Sequence, residues 1–347
     1  MYNKITKQSL FTSEKEKLRK KPTDFKFIDL FAGIGGTRIA FERVGGECVF
    51  SSEWDSSCQK TYEANFGEIP HGDIAKIDEK KIPDFDILVA GFPCQPFSSI
   101  GKRQGFKHKT QGTLFYDIAR IIGAKKPSAF LLENVKGLTT HNDGDTLRTI
   151  ISVLEDDLGY KTFYEILDAS NFGVPQKRQR IYIVGFKKEL LSKDDKYIHP
   201  TGTNNKVFIN QFLEKNADGY SISKHLQENY LFKLDDGRPK LVNEKSDIHV
   251  KTLVASYHKI QRLTGTFVED GPTGIRLFTQ NECKAIMGFP EDFVVPVSRT
   301  QMYRQFGNSV AVPAVQAVAE SIKQFLIKNN VLKGKNEAKK NKPRAGN

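Results

Sequence analysis

Cys94 stands between Pro93 and Pro96 in GFPCQPFS, immediately beyond the apolar run FDILVA. A thiol kept for packing belongs inside such a run, because free cysteine behaves as a small buried hydrophobe. Placed just past it and stiffened by two prolines, it is a candidate nucleophile. A thiol of pKa about 8.5 is only a few per cent ionised at neutral pH, yet its thiolate is strongly nucleophilic and nearby cations favour it. Glu133 follows four apolar residues in AFLLENV, so desolvation is expected to raise its pKa and keep a proton available. The alternative role for that acid is a structural pair with an arginine at a sheet edge. Arg178 and Arg180 stand two apart in PQKRQRIYIVGF. On an extended segment they project to one side, where a planar guanidinium can meet a carbonyl oxygen or a phosphate.

A second group of residues has the makings of a nucleoside pocket. FIDLFAGIGGTRIAFE places Gly33, Gly35 and Gly36 between a strand-like and a helix-like run. Glycines there permit a tight turn and close backbone approach to a ligand. The dinucleotide fingerprint would require a further glycine where Arg38 stands, so NAD fits poorly. Glu53 lies twenty residues after Gly33, at a strand end, where a carboxylate can accept both hydroxyls of a ribose. Beside it Trp54, the single tryptophan, can stack on an adenine. Ribose and adenine without a pyrophosphate describe S-adenosylmethionine, its methionine carboxylate set at the N-terminus of the helix after the loop.

The elements that must position these residues follow from periodicity. FKFIDLF, ECVFSSE, FDILVAG, AFLLENV and IYIVGF read as strands buried on both faces; TRIAFERVG, SCQKTYEANF, LFYDIARIIG and DTLRTIISVLEDDL read as helices. Alternation of this kind predicts a doubly wound α/β sheet, and such sheets bind ligands at the carboxyl ends of their strands. Phe31, Gly33, Glu53, Cys94 and Glu133 all fall at or just beyond those ends, so the candidate chemistry converges on one sheet edge. Beyond residue 187 the alternation stops. Residues 187–275 are polar, glycine-containing and weakly periodic, which suggests a separate small domain. Helical patterning resumes at RLFTQNECKAIMGFP, and SVAVPAVQAVAESIKQFL is expected to pack back on the first domain.

The 347 residues carry a formal net charge of +12. Residues 1–26 hold eight Lys/Arg against three acids and residues 323–347 eight against one, so the tails account for the whole excess and the body is balanced. Within the body, GKRQGFKHKTQG and QKRQRIYIVGFKK are basic without an acid, the pattern of either a solvated face or a polyanion contact. Four scattered cysteines, Cys48, Cys58, Cys94 and Cys283, exclude a disulfide framework and a zinc site, and imply a reducing compartment. No apolar run is expected to reach the roughly 18 residues of a membrane span, and the N-terminus lacks a signal-like core.

Taken together the motifs resemble the cytosine-C5 DNA methyltransferases, bacterial modification enzymes in particular. Those that carry the resemblance are DLFAGIGG, the Glu53-Trp54 strand end, GDI at 72–74, GFPCQPFS, GTLFYD, ENV at 133–135, QKRQR, RLFTQNECKAIMGFP and YRQFGNSVAVP. They cover residues 27–186 and 276–325. The stretch between, where that family places its target-recognition domain, offers little beyond the dipeptide Thr252-Leu253.

The resemblance implies an S-adenosylmethionine-dependent, Rossmann-like methyltransferase fold. Phe31, Gly33, Gly35, Gly36, Glu53, Trp54, Asp73, Ile74, Pro93, Leu114, Asn308, Ser309 and Val310 would surround the cofactor. Cys94 would attack C6 of a flipped-out cytosine, Glu133 would hold N3 and the exocyclic amine, and Arg180, with Arg178 beside it, would reach the O2 carbonyl. Gln95, Ser98, Lys102, Arg103 and Thr252 would contact DNA, with segment 95–112 closing over the flipped base. Arg238, Lys251, His258, Lys259 and Arg262 are further candidates for base contact.

The expected organisation is a basic extension (1–24), a catalytic and cofactor-binding domain (25–186), a target-recognition domain (187–275), a returning C-terminal segment (276–328) and a basic disordered tail (329–347). The implied partner is double-stranded DNA, with a cognate restriction endonuclease acting separately. A cytoplasmic monomer with no metal and no membrane association is expected. Two rival readings keep the same body: a tRNA cytosine-C5 methyltransferase, since a few relatives act on tRNA, and a catalytically silent DNA-binding relative.

Overall fold

The computed structural model describes residues 23–93, 114–203 and 206–333. Six strands form one sheet in the order β2-β1-β3-β4-β6-β5, comprising β1 (Phe25–Leu30), β2 (Gly46–Ser52), β3 (Ile87–Gly91), β4 (Ala129–Val135), β5 (Tyr160–Asp168) and β6 (Gln179–Lys187). The first four in that order run parallel, whereas β6 is antiparallel to both β4 and β5. Chain order reverses direction across the sheet between β1 and β3, which makes the carboxyl ends of those two strands the switch-point crevice of an open α/β sheet.

The five runs expected as strands all form. Strand β5 was not visible as one in the sequence, because it lies at the sheet edge and is only partly buried along YKTFYEILD. Without one consistently buried face the two-residue alternation fades.

Helices cover both faces. On one side lie α1 (Gly36–Arg43) and the last helix, α7 (Val312–Lys328), whose Ile39, Phe41, Val315, Val318 and Ile322 share a core with Phe27 and Leu131. On the other, α3 (Leu114–Lys125) and α4 (Asp145–Ser152) pack Ile118, Ile122, Leu147 and Ile150 on Leu88, Phe130 and Ile183. The local signals that start and stop helices are explicit. Asp55 caps α2 (Ser56–Phe66) by accepting from the amides of Ser57 and Cys58, and Gly67 ends it in a left-handed conformation. Thr279 and Glu282 form a reciprocal capping box on α5 (Gln280–Met287).

Arg299–Lys328 meets the length and hydropathy test for a membrane span, against the expectation that no run would. It comprises α6 (Arg299–Asn308) and α7, interrupted at residues 309–311, and its apolar residues Met302, Phe306, Val315 and Ile322 are core.

The described residues of 187–275 hold a short parallel pair, β7 (Lys240–Val242) and β8 (Thr266–Val268), among turns and short helical segments such as Lys224–Leu226 and Gln227–Leu231. Their apolar residues do not close a core of their own. Ile209, Ile222, Leu231, Val242 and Val250 belong to the same buried cluster as Ile286, Phe306 and Val315. Polar ties fasten the stretch further. Arg276, fully buried, pairs with Glu282 at 2.8 Å and with Asp270 at 2.8 Å. Arg262 pairs with Asp236 and donates to the carbonyls of Leu231 and Leu234. With its guanidinium committed in this way, Arg262 is a structural tie rather than the base-contacting residue its charge suggested.

Candidate active site

The loop after β1 reverses direction through left-handed Phe31, Gly33 and Gly35. A Cβ at Gly33 would meet nothing within 4 Å, so this backbone lines open space in which a ligand can approach. Glu53, at the end of β2 and 8% exposed, braces the loop. One carboxyl oxygen accepts from the Gly33 amide at 2.8 Å and the other from the Asp55 amide at 2.8 Å. The carboxylate retains acceptor capacity beyond these bonds, which suits a ribose hydroxyl. Desolvation pushes the Glu53 pKa up while the amides of Asp55, Gly33 and Trp54 pull it back. Trp54 beside it is 80% exposed, a free aromatic face for a base.

Asp73 caps the turn that follows it through the Ala75 amide, and Ile74 is buried next to it. The first amides of α1 have no side-chain cap, leaving donors suited to a carboxylate. This donor set fits S-adenosylmethionine.

The C-terminal segment packs against the same glycine loop. A Cβ on Gly36 would lie 2.9 Å from Ser309 Oγ, 3.0 Å from the Phe289 ring and 3.1 Å from Val310 Cγ2. Only glycine therefore lets the loop abut residues 309–310, placing Asn308, Ser309 and Val310 beside it. Leu114 opens α3, and Pro93 is the last described residue before the segment that bears the thiol. Cys94, Gln95, Ser98, Lys102 and Arg103, with the expected closing segment 95–112, lie outside the described residues.

Glu133 and Arg180 meet across the β4/β6 ladder, where Glu133 pairs with Tyr182 and Val135 with Arg180. Arg180 Nε stands 3.2 Å from Glu133 Oε1, with the side chains 16% and 14% exposed. Burial pushes the Glu133 pKa up, opposed by the charges of Arg180 and Arg178. Glu133 thus has both the raised pKa and the arginine partner that were expected as alternatives. Its second oxygen faces Gly91, where an added Cβ would sit 3.7 Å away. Asn134, the next residue, donates to the Phe92 carbonyl at 2.9 Å, tying the end of β4 to the backbone just before the thiol. Asn134 lay within a recognised motif, but its positioning role depends on a contact between strands that spacing does not reveal.

Arg178 departs from expectation. It is 3% exposed, and its guanidinium donates to the carbonyls of Leu253, Gly307 and Ser309. Of the two arginines, it is Arg180 that pairs with the acid. Thr252, expected at the DNA, donates its hydroxyl to the Lys177 carbonyl at 2.8 Å.

Beneath the glycine loop lies a group that sequence reading passed over. Asp29 on β1 is 1% exposed, and neither carboxyl oxygen has a hydrogen-bond partner. Burial raises its pKa to about 8, against the pull of Arg38 and with a further push from Glu53. Between the unfolded value near 3.8 and about 8 the native state binds the extra proton, so stability falls as pH rises through that window, by at most about 1.4 kcal/mol per pH unit. Asp29→Asn is expected to flatten this dependence. Urea midpoints at pH 5.5 and 7.5 should differ less for the variant than for the wild type; an unchanged difference would show that Asp29 titrates normally.

The chain is similar to known proteins along most of its length. A profile of the C-5 cytosine-specific DNA methylases matches residues 25–324. The chain is 61% identical over 302 residues to the type II methyltransferase M.BsuFI of Bacillus subtilis, covering 87% of this chain and 73% of that protein. It is 57% identical over 324 residues to M.MspI of a Moraxella species, covering 92% and 76%. In fold it is similar to a Spodoptera frugiperda DNMT2 mutant, with a TM-score of 0.69 at 22% identity, covering 86% of this chain and 99% of that one. A match across nearly the whole described body, together with these relatives, establishes that the chain belongs to the C-5 cytosine-specific DNA methylase family and is a DNA cytosine methyltransferase.

Proposed function

We propose that the chain modifies C5 of a flipped-out cytosine in duplex DNA through a transient bond from Cys94 to C6, with Glu133 as proton donor and Arg180 as the group that orients both acid and base. The observation that carries this reading is the partly buried Glu133–Arg180 pair at the carboxyl end of β4, on the same sheet edge as Glu53. Extrusion of the base from the stack costs a few kcal/mol, recovered by pocket and backbone contacts.

Within the pocket, Cys94 thiolate forms the S–C6 bond while Glu133 gives its proton to N3, and the ring's electron density moves to C5. Arg180 holds Glu133 and can donate to the cytosine O2. Once C5 carries the methyl group, its proton passes to water, the S–C6 bond breaks to release the Cys94 thiolate, and N3 returns its proton to Glu133, which restores the neutral aromatic ring. S-adenosylmethionine, when bound, supplies the methyl group as an electrophile; Glu53, Trp54, Asp73, Ile74, the Gly33–Gly36 loop and Asn308–Val310 would hold it.

Residues 187–275 are the proposed target-recognition region, with Thr252 at its junction with the catalytic body. A monomer acting on chromosomal DNA in the cytoplasm, beside a separate endonuclease of the same specificity, is the corresponding biological role. The test is expression in a host lacking cytosine methylation, followed by base-resolution mapping of 5-methylcytosine. Methylation confined to one short sequence is expected. An unmethylated genome, or methylation of tRNA alone, would overturn the reading.

A further inference from the structure

Arg178 joins three parts of the chain that are far apart in sequence. Nη1 donates to the Leu253 carbonyl at 3.1 Å, and Nη2 to the carbonyls of Gly307 at 3.1 Å and Ser309 at 2.5 Å. The stretch that contains Leu253 is bonded to the same strand entry at other points. The Leu253 amide donates to Gln176 Oε1 at 2.7 Å, Thr252 Oγ1 to the Lys177 carbonyl at 2.8 Å, and the Lys177 amide to the Val250 carbonyl at 2.9 Å.

From the other side, Gly307 has no room for a side chain: a Cβ would lie 2.2 Å from the Ala255 nitrogen and 2.3 Å from the Val254 carbonyl carbon. Backbone therefore packs on backbone between the end of α6 and residues 254–255. Ser309 and Val310 in turn abut Gly36 of the glycine loop. One contiguous path runs from the loop through residues 307–310 and the Arg178 guanidinium to residues 252–255.

The chemistry of the clasp makes it cooperative. Arg178 is a buried cation whose hydrogen-bond acceptors are neutral carbonyls, with Nε left unpartnered. Withdrawing any one acceptor would leave a buried charge less satisfied, which is costly. The acceptors are thereby held to move together. A lysine retains the charge but replaces the planar fork by a single nitrogen, and cannot span the three carbonyls in the same geometry.

We propose that Arg178 is a positioning residue that couples target engagement by the 252–255 stretch to the cofactor pocket, so that DNA and cofactor each tighten binding of the other. This rests on the reading above, in which 308–310 line the cofactor pocket and 187–275 meet DNA. Linkage requires the effect to be reciprocal.

The test uses the full chain, S-adenosylhomocysteine as a non-reactive probe, and a duplex that the wild type methylates. Binding is read from quenching of Trp54, the single tryptophan. Wild type is expected to bind the probe about tenfold more tightly with the duplex present, whereas Arg178→Lys and Gly307→Ala bring that ratio to within about twofold of one. A variant that keeps the wild-type ratio overturns the coupling. Hydrogen exchange on the wild type provides a measurement independent of any variant. Duplex alone should slow exchange at 306–311, and probe alone at 252–256; absence of both effects also overturns it. A wild type that methylates a duplex yet binds the probe equally with and without it defeats the coupling and leaves the reaction standing. A wild type that methylates no duplex defeats both.

Discussion

Cys94→Ser is expected to lower methyl transfer by at least about a thousandfold, since a serine hydroxyl is a far weaker acid than a thiol and its alkoxide far less accessible than a thiolate. The nucleophile acts at the bond to C6, so binding of S-adenosylhomocysteine and of duplex DNA should survive. Single-turnover assays with labelled methyl donor, beside equilibrium binding, separate the two. DNA carrying 5-fluorocytosine at the target makes the same point without a mutation. Fluorine at C5 replaces the proton whose loss allows the S–C6 bond to break, so the wild type should be trapped as a species that survives denaturing electrophoresis and Cys94→Ser should not. Normal turnover by the serine variant, or no trapped species under conditions that methylate ordinary DNA, would remove the thiol from the reaction.

Glu133→Gln should cost about a hundredfold to ten-thousandfold in turnover, the usual contribution of a positioned general acid. The amide keeps the shape and can still accept from Arg180 at the 3.2 Å contact, yet it has no acidic proton for N3. It also leaves Arg178 and Arg180 without the carboxylate that opposes their charge.

The pH dependence gives the assignment its sign. Burial raises the Glu133 pKa, so its proton is retained further towards neutrality, and the rate should decline as pH rises through that value. Thiolate formation at Cys94 acts in the opposite sense. The wild-type profile is therefore expected to be bell-shaped, and the glutamine variant to lose the alkaline decline while keeping the rise. A glutamine profile parallel to the wild type would mean that Glu133 holds the ring without delivering the proton.

Much of this was legible in local pattern. Alternating apolar runs located five of the six sheet strands, and the rule that ligands bind at carboxyl strand ends brings Gly33, Glu53 and Glu133 to one edge. Residue chemistry at single positions was also readable: a carboxylate after four apolar residues must feel desolvation wherever the strand lies.

What sequence alone determined was which residues have reactive chemistry and the elements that bear them, because hydrophobic period and side-chain type are properties of neighbouring residues. Tertiary structure decided which of them meet. Register across β4 and β6 joined Glu133 to Arg180, and packing of residues 253 and 307–309 against β6 turned Arg178, indistinguishable from Arg180 by spacing, into an internal clasp. The edge strand β5, the unpartnered Asp29 and the shared core of residues 187–275 escaped the sequence for the same reason: burial and partnership depend on segments distant along the chain, and no local period records them.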